Sequence, residues 1–153
     1  MPEPHEYDLA MIRYLLTLCA VALCVPTLLA LEPDDDAVRI PLNHYLTGHA
    51  TGDPSHMRKA FLPTAHIEGV RDGKFVSWTL DEYCARFSGR PEPDESTRRR
   101  TIDVVDVSGN AAMARATLVH GATTFTDYFV LLKVGDEWKI ANKVYAAVRR
   151  SDE

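Results

Sequence analysis

Between Thr123 and Tyr145 the sequence TTFTDYFVLLKVGDEWKIANKVY sets one carboxylate, Asp127, beside Tyr128 in a stretch that otherwise reads as core, with Phe125, Phe129, Leu131, Trp138, Ile140 and Val144. A carboxylate in an apolar cavity has its charged form disfavoured and can act as a base tuned toward neutral pH. Strand parity groups Asp127 with Phe129, Leu131 and Lys133. That leaves two roles open for it: polar group of a cavity, or turn anchor on an outer, solvated face. A second candidate base is His66, which shares a strand face with Glu68 and Val70 and could form an imidazole–carboxylate pair. Asp127 and His66 are therefore the candidate catalytic residues.

Binding candidates surround them. Tyr45 and His49 lie on the apolar stripe of a first helix, where a cavity wall would stand. Trp78, Tyr83, Tyr128 and Phe129 could stack on a planar ligand or serve as core. Asn142 follows Trp138 and Ile140 on a strand face and would be the polar group nearest a cavity.

Other chemistries find little support. His44 and His49 are five apart and do not share a helical face, and the chain has no H-E-x-x-H, so no metal site is expected. It also has no G-x-S-x-G elbow, Gly-rich phosphate loop or C-x-x-C. Any reaction would be proton transfer, and no cofactor is expected.

These residues need elements to position them. Val38, Leu42, Tyr45, Leu46 and His49, at spacings of three and four, predict an amphipathic helix closed by Gly52. Asp53 and Pro54 open a second, which Pro63 ends. From Ala65 the period becomes two, and Asp72-Gly73 marks a hairpin. Thr79 and Glu82 form a capping box for a third helix presenting Leu80, Tyr83 and Phe87. A Pro-rich loop, SGRPEPDESTRRR, then leads to four strands joined by Gly-marked turns. The order predicts an α+β domain of three helices, a hairpin and a four-stranded antiparallel meander.

Composition is that of one globular domain: 153 residues, 46% hydrophobic, 25% charged, net charge −5. No basic face suggests nucleic acid, and the run Arg98–Arg100 reads as a solvated loop end. Residues 1–30 differ from the rest: Arg13 precedes a stretch without charge from Tyr14 to Leu31, broken by Pro26. This predicts a signal peptide or an uncleaved membrane anchor, hence an exported domain over 31–153, periplasmic or secreted. A start at Met11 would remove the acidic residues ahead of Arg13. Cys19 and Cys24 lie in that leader, so Cys84 alone remains in the domain and has no disulfide partner.

The strings IPLNHYLTGHATGDPSHMRKAFLPTAHIEGVRDGKFVSW and FTDYFVLLKVGDEWKIANKVY resemble the nuclear-transport-factor-2-like superfamily, in its putative lumazine-binding branch, over Asp34 to about Val148. The resemblance implies a strongly bent antiparallel sheet wrapped around three N-terminal helices as a cone, with a pocket at its open end. Family members include binding proteins, SnoaL-type polyketide cyclases, dehydratases and ketosteroid isomerases, so the fold leaves function open. Three readings remain: a domain binding a small apolar or planar ligand; a cofactor-free isomerase, cyclase or dehydratase with Asp127 or His66 as base and a Tyr hydroxyl polarising a carbonyl; or an interaction module without a ligand. A homodimer paired through the sheet is expected under each.

Overall fold

The structure, a computed structural model, describes residues 35–150. They fall within one compact unit, Glu32–Glu153. The leader expected in residues 1–30 lies outside the described residues. Among those described, no helix is long and apolar enough to cross a membrane.

Helix α1 spans Asp35–Thr51 and buries Val38, Leu42 and Tyr45 along the stripe expected of it. Pro41 sits inside it, buried, and removes the N–H that would bond the carbonyl of Ala37. Gly52 ends the helix at φ +69. A side chain there would also meet the Arg90 carbonyl oxygen at 2.0 Å, because Gly89 N–H donates to Gly52 O at 2.8 Å and holds the loop against the helix end. Helix α2, Pro54–Ala60, is capped by Asp53, which accepts from Ser55 N. Helix α3 is shorter than expected, Leu80–Cys84, but its capping box between Thr79 and Glu82 is complete. Phe87 lies beyond its end and still packs on the core.

Strands β1 (His66–Arg71) and β2 (Lys74–Thr79) form the expected hairpin, with Asp72 at φ 51 and Gly73 at φ 73. The meander follows as β3 (Arg99–Ser108), β4 (Ala111–His120), β5 (Thr123–Val134) and β6 (Glu137–Arg149). All six make one open sheet in the order β2-β1-β6-β5-β4-β3. The expected all-antiparallel sheet needs correcting, since β1 runs parallel to β6, with Ile67 opposite Lys143. The cause lies just upstream, where Phe61 already bridges Ile140 in parallel and Leu62 N–H donates to Ile140 O at 2.9 Å.

Two bulges shape the concave face. In β3 the extra residue is Asp103, whose carboxylate accepts from Thr101 Oγ1 (2.8 Å) and Thr117 Oγ1 (2.7 Å). In β6 the extra residue is Ala141, between the Leu131–Ile140 and Val130–Asn142 pairs. A bulge bends its strand and reverses side-chain parity beyond it. Trp138 and Ile140 point inward before the bulge; after it Lys143 points in, while Val144, expected in the core, is 46% exposed. The run Arg98–Arg100 is likewise no solvated loop end. Arg100 is part-buried and grips Glu95 through two hydrogen bonds (2.6 and 2.8 Å), and Arg98 pairs with Asp94 at 2.9 Å.

Candidate functional site

The concave face of the sheet and α1 enclose a cavity of about 220 Å³, open at one side. Five of the six strands send residues into it: Ile67 and Arg71 from β1, Trp78 from β2, Leu118 and His120 from β4, Phe125 and Asp127 from β5, Lys143 and Tyr145 from β6. Helix α1 contributes Tyr45 and His49, four apart on one face, and α3 contributes Tyr83. Gly69 makes room for one wall, because a Cβ there would lie 2.6 Å from the Tyr145 ring.

At the base is a buried polar cluster. Asp127 is 1% exposed and Lys143 5%. Tyr45 Oη donates to Asp127 Oδ2 (2.5 Å); Lys143 Nζ donates to Asp127 Oδ1 (3.1 Å) and to Tyr45 Oη (2.8 Å). The ammonium also stands 5.0 to 5.5 Å from the ring centres of Tyr45, Tyr83 and Tyr145, an aromatic surround that favours a cation. Burial lowers the Lys143 pKa and the neighbouring Asp127 charge opposes that fall. The Tyr45 phenol is pushed well above its usual range by burial and by Asp127, so it stays a neutral donor. Tyr83 is raised too, first by burial.

A second cluster lies beside it. His49 Nε2 and Tyr83 Oη share a hydrogen bond of 2.9 Å, and the His49 ring packs on Phe87 and His120. Burial, with Lys143, His120, Arg100 and Arg98 nearby, drives the His49 pKa well down. Burial and the same two arginines bring His120 to about 4. Both rings are neutral at physiological pH.

The candidate residues thus divide. Asp127, Tyr45, His49, Trp78 and Tyr83 converge on the cavity. Asp127 faces inward, and Lys133, which hinted at a solvated face, simply ends the same face where the strand leaves the core. His66, Tyr128 and Asn142 do not reach the cavity. His66 is exposed on the convex face, and Glu68, its expected partner, instead accepts from Ser77 Oγ and Asn142 Nδ2, both at 3.2 Å. Tyr128 is 45% exposed on that face because it alternates with Asp127. Asn142 staples β6 to β1, its Oδ1 accepting from His66 N–H at 2.8 Å. Sequence reasoning missed His120, Arg71 and Arg86 at the opening and, at the base, Lys143. Simple alternation from Trp138 and Ile140 puts it outside, and only the extra residue at Ala141 turns it in.

The arrangement constrains the chemistry. Each Asp127 oxygen accepts one hydrogen bond, from Tyr45 and from Lys143, which fixes the carboxylate in place and leaves one lone pair on each oxygen for a further donor. Among the described residues no cluster of three or more His, Cys, Asp or Glu could hold a metal ion.

Comparison with the curated proteins gives no match. Solved structures agree in fold. An NTF2-like protein of unknown function from Shewanella baltica OS155 has 29% identity and a TM-score of 0.67 over 75% of this chain and 94% of that one. Another, from Methylobacillus flagellatus KT, has 28% identity and a TM-score of 0.65 over 74% and 90%. A ketosteroid isomerase-like protein from Erwinia carotovora atroseptica SCRI1043, at 14% identity and a TM-score of 0.57 over 76% and 97%, is alike in fold alone. The sequence model of the family described as putative lumazine-binding matches residues 33–146, and the chain therefore belongs to that family, within the NTF2-like superfamily and its cystatin-like α+β fold.

Proposed function

We propose that this is an exported ligand-binding domain whose cavity takes a planar molecule of one or two fused rings. The observation that carries the reading is the cavity itself: aromatic walls around one buried polar cluster, with Lys143 and Tyr45 as its handle. A volume of about 220 Å³ lies below the usual range for ligand sites, about 300 to 1,000 Å³, so a steroid or an intact flavin would not be enclosed. Membership of a family described as putative lumazine-binding supports a small ligand of this shape.

The test is thermal unfolding of the full chain with lumazine and related one- and two-ring heterocycles. Ligand at a hundred times its Kd should add about 2.7 kcal/mol to stability. That gain should vanish in the Asp127→Leu/Lys143→Met double variant, which removes the polar handle at near-constant volume. If no such compound raises the midpoint, the binding reading fails. Proton-transfer catalysis is less well supported, because Asp127 is held by two partners and His66 lies outside the cavity.

Two further parts of the reading concern where and how the domain stands. The uncharged run from Tyr14 to Leu31 supports export or membrane anchoring; recovery of the chain solely in the cytoplasmic fraction would rule this out. The convex sheet face bears Val104, Met113, Tyr128, Val130, Leu132 and Val144, each 37% to 53% exposed, a patch suited to a second copy of the chain. Sedimentation at micromolar concentration should show a dimer, and a monomer there removes that part.

A further inference from the structure

The mouth of the cavity differs in charge from its base. At the base, Lys143 and Asp127 neutralise one another. At the mouth stand Arg71, at the end of β1, and Arg86, just past α3, both exposed. Among the described residues neither has a carboxylate within 4 Å, whereas Arg58, Arg98, Arg100 and Arg115 each do. No carboxylate other than Asp127 lines the cavity, and its two histidines are neutral at physiological pH. The cavity therefore carries two unmatched positive charges, both at its opening.

Those charges border a flat surface. The Trp78 and Tyr145 rings are stacked, 7° from parallel with centres 6.1 Å apart. Arg86 Cζ lies 4.7 Å from the centre of the Trp78 ring, so its guanidinium is laid against the wall rather than extended into solvent. Both guanidiniums also act on the Tyr145 phenol, opposing the rise that burial causes. Planar donors held beside an aromatic wall suit the edge of a planar acid, since a guanidinium pairs with a carboxylate through parallel hydrogen bonds.

We propose that the cavity selects aromatic acids: one or two fused rings lie along Trp78 and Tyr145 toward Lys143, and a carboxylate on the ring edge is taken by Arg71 and Arg86. This rests on the ligand-binding reading of the same cavity and goes beyond it by fixing the charge and the polarity of approach. The acid stays at the mouth, where water still reaches it, and the rings go inward, where Tyr45, Lys143 and Tyr83 supply donors for a ring nitrogen or carbonyl.

A matched pair of probes tests this. Naphthalene-2-carboxylate and naphthalene-2-carboxamide share ring, size and planarity and differ in charge; each is titrated calorimetrically into the full chain at pH 7 and low salt. The acid should bind about tenfold more tightly, as charge-assisted hydrogen bonds at a partly solvated site allow. In Arg71→Gln/Arg86→Gln that gap should close to within about twofold, by loss of acid affinity alone. Both arginines are exposed, so the substitutions leave the fold intact. Equal affinities in the parent protein would overturn the acid preference and leave the binding reading standing. A preference that survives the double substitution would overturn the role of the two arginines. Binding of neither probe at millimolar concentration would overturn this inference, while thermal unfolding with the heterocycles decides separately whether the cavity is a ligand site.

Discussion

Asp127→Ala will unfold about 3 to 5 kcal/mol more easily than the parent chain, while Asp127→Leu/Lys143→Met will be as stable as the parent or more so. The single change removes the counter-charge of an ammonium that is 5% exposed and strips Tyr45 of its acceptor. What remains is a buried cation held by one hydroxyl and three rings. The double change removes both charges at near-constant volume, so the desolvation cost that the ion pair carries is removed with it. In a domain of this size the single variant should melt about 10 °C or more below the parent. Thermal and urea unfolding followed by circular dichroism measure both. A double variant as unstable as the single would mean that the pair is a structural clasp. A stable double variant that no longer responds to ligand would mean that the chain retains a costly ion pair for the sake of what the cavity holds.

How far the sequence reaches is visible in that same pair. Asp127 was legible as an anomaly, because a carboxylate two residues before Phe129 in an apolar strand demands a reason. The helices were legible through their caps: Asp53, the Thr79–Glu82 box and Gly52 each mark an end by local chemistry. The hairpin was legible through Asp72-Gly73 for the same cause. Lys143 was not, because its direction depends on one inserted residue, Ala141, and a bulge has no local chemical marker when the extra residue is an alanine. The same parity error put Val144 in the core and Asn142 at the cavity. The parallel joining of β1 to β6 was equally hidden, since it rests on contacts between residues some eighty apart, such as Leu62 N–H to Ile140 O. His120, Arg71 and Arg86 sit in unremarkable strand ends and loops, and only the curl of the sheet brings them to one opening. Local signals therefore specified the elements, while the site was specified by register.

Stability should fall as pH is lowered from 7 toward 4, and His49 and His120 should account for most of the loss. In the unfolded chain both take up a proton near pH 6.5. In the folded chain burial and the cations around them hold both pKa values down, His120 to about 4 and His49 well below its usual value. His44 is lowered as well, by burial and His56. Below pH 6.5 the unfolded chain thus binds protons that the folded chain refuses, and each such histidine destabilises the fold with a slope of at most about 1.4 kcal/mol per pH unit. His120 approaches that limit less closely because it is half-buried, and its share of the loss ends near pH 4. Their slope fades above pH 6.5 and is gone by about pH 7.5, where the unfolded rings are also neutral. The carboxylates held low by hydrogen bonds or ion pairs, among them Glu95 and Asp103, begin to contribute only below about pH 4.5, where their unfolded forms take up protons. The interval from 6.5 to 4.5 therefore belongs to the histidines. Urea unfolding at intervals of half a pH unit should show the slope there, and His49→Gln should flatten it even though the loss of the Tyr83 hydrogen bond lowers stability at pH 7. A slope unchanged by His49→Gln would show that this ring takes up its proton as readily folded as unfolded, which in a cavity already holding Lys143 would require an acceptor or counter-anion beside it. That outcome would bear on the acid preference as well, for an anion resident at the base of the cavity would have to compete there with one bound at its mouth.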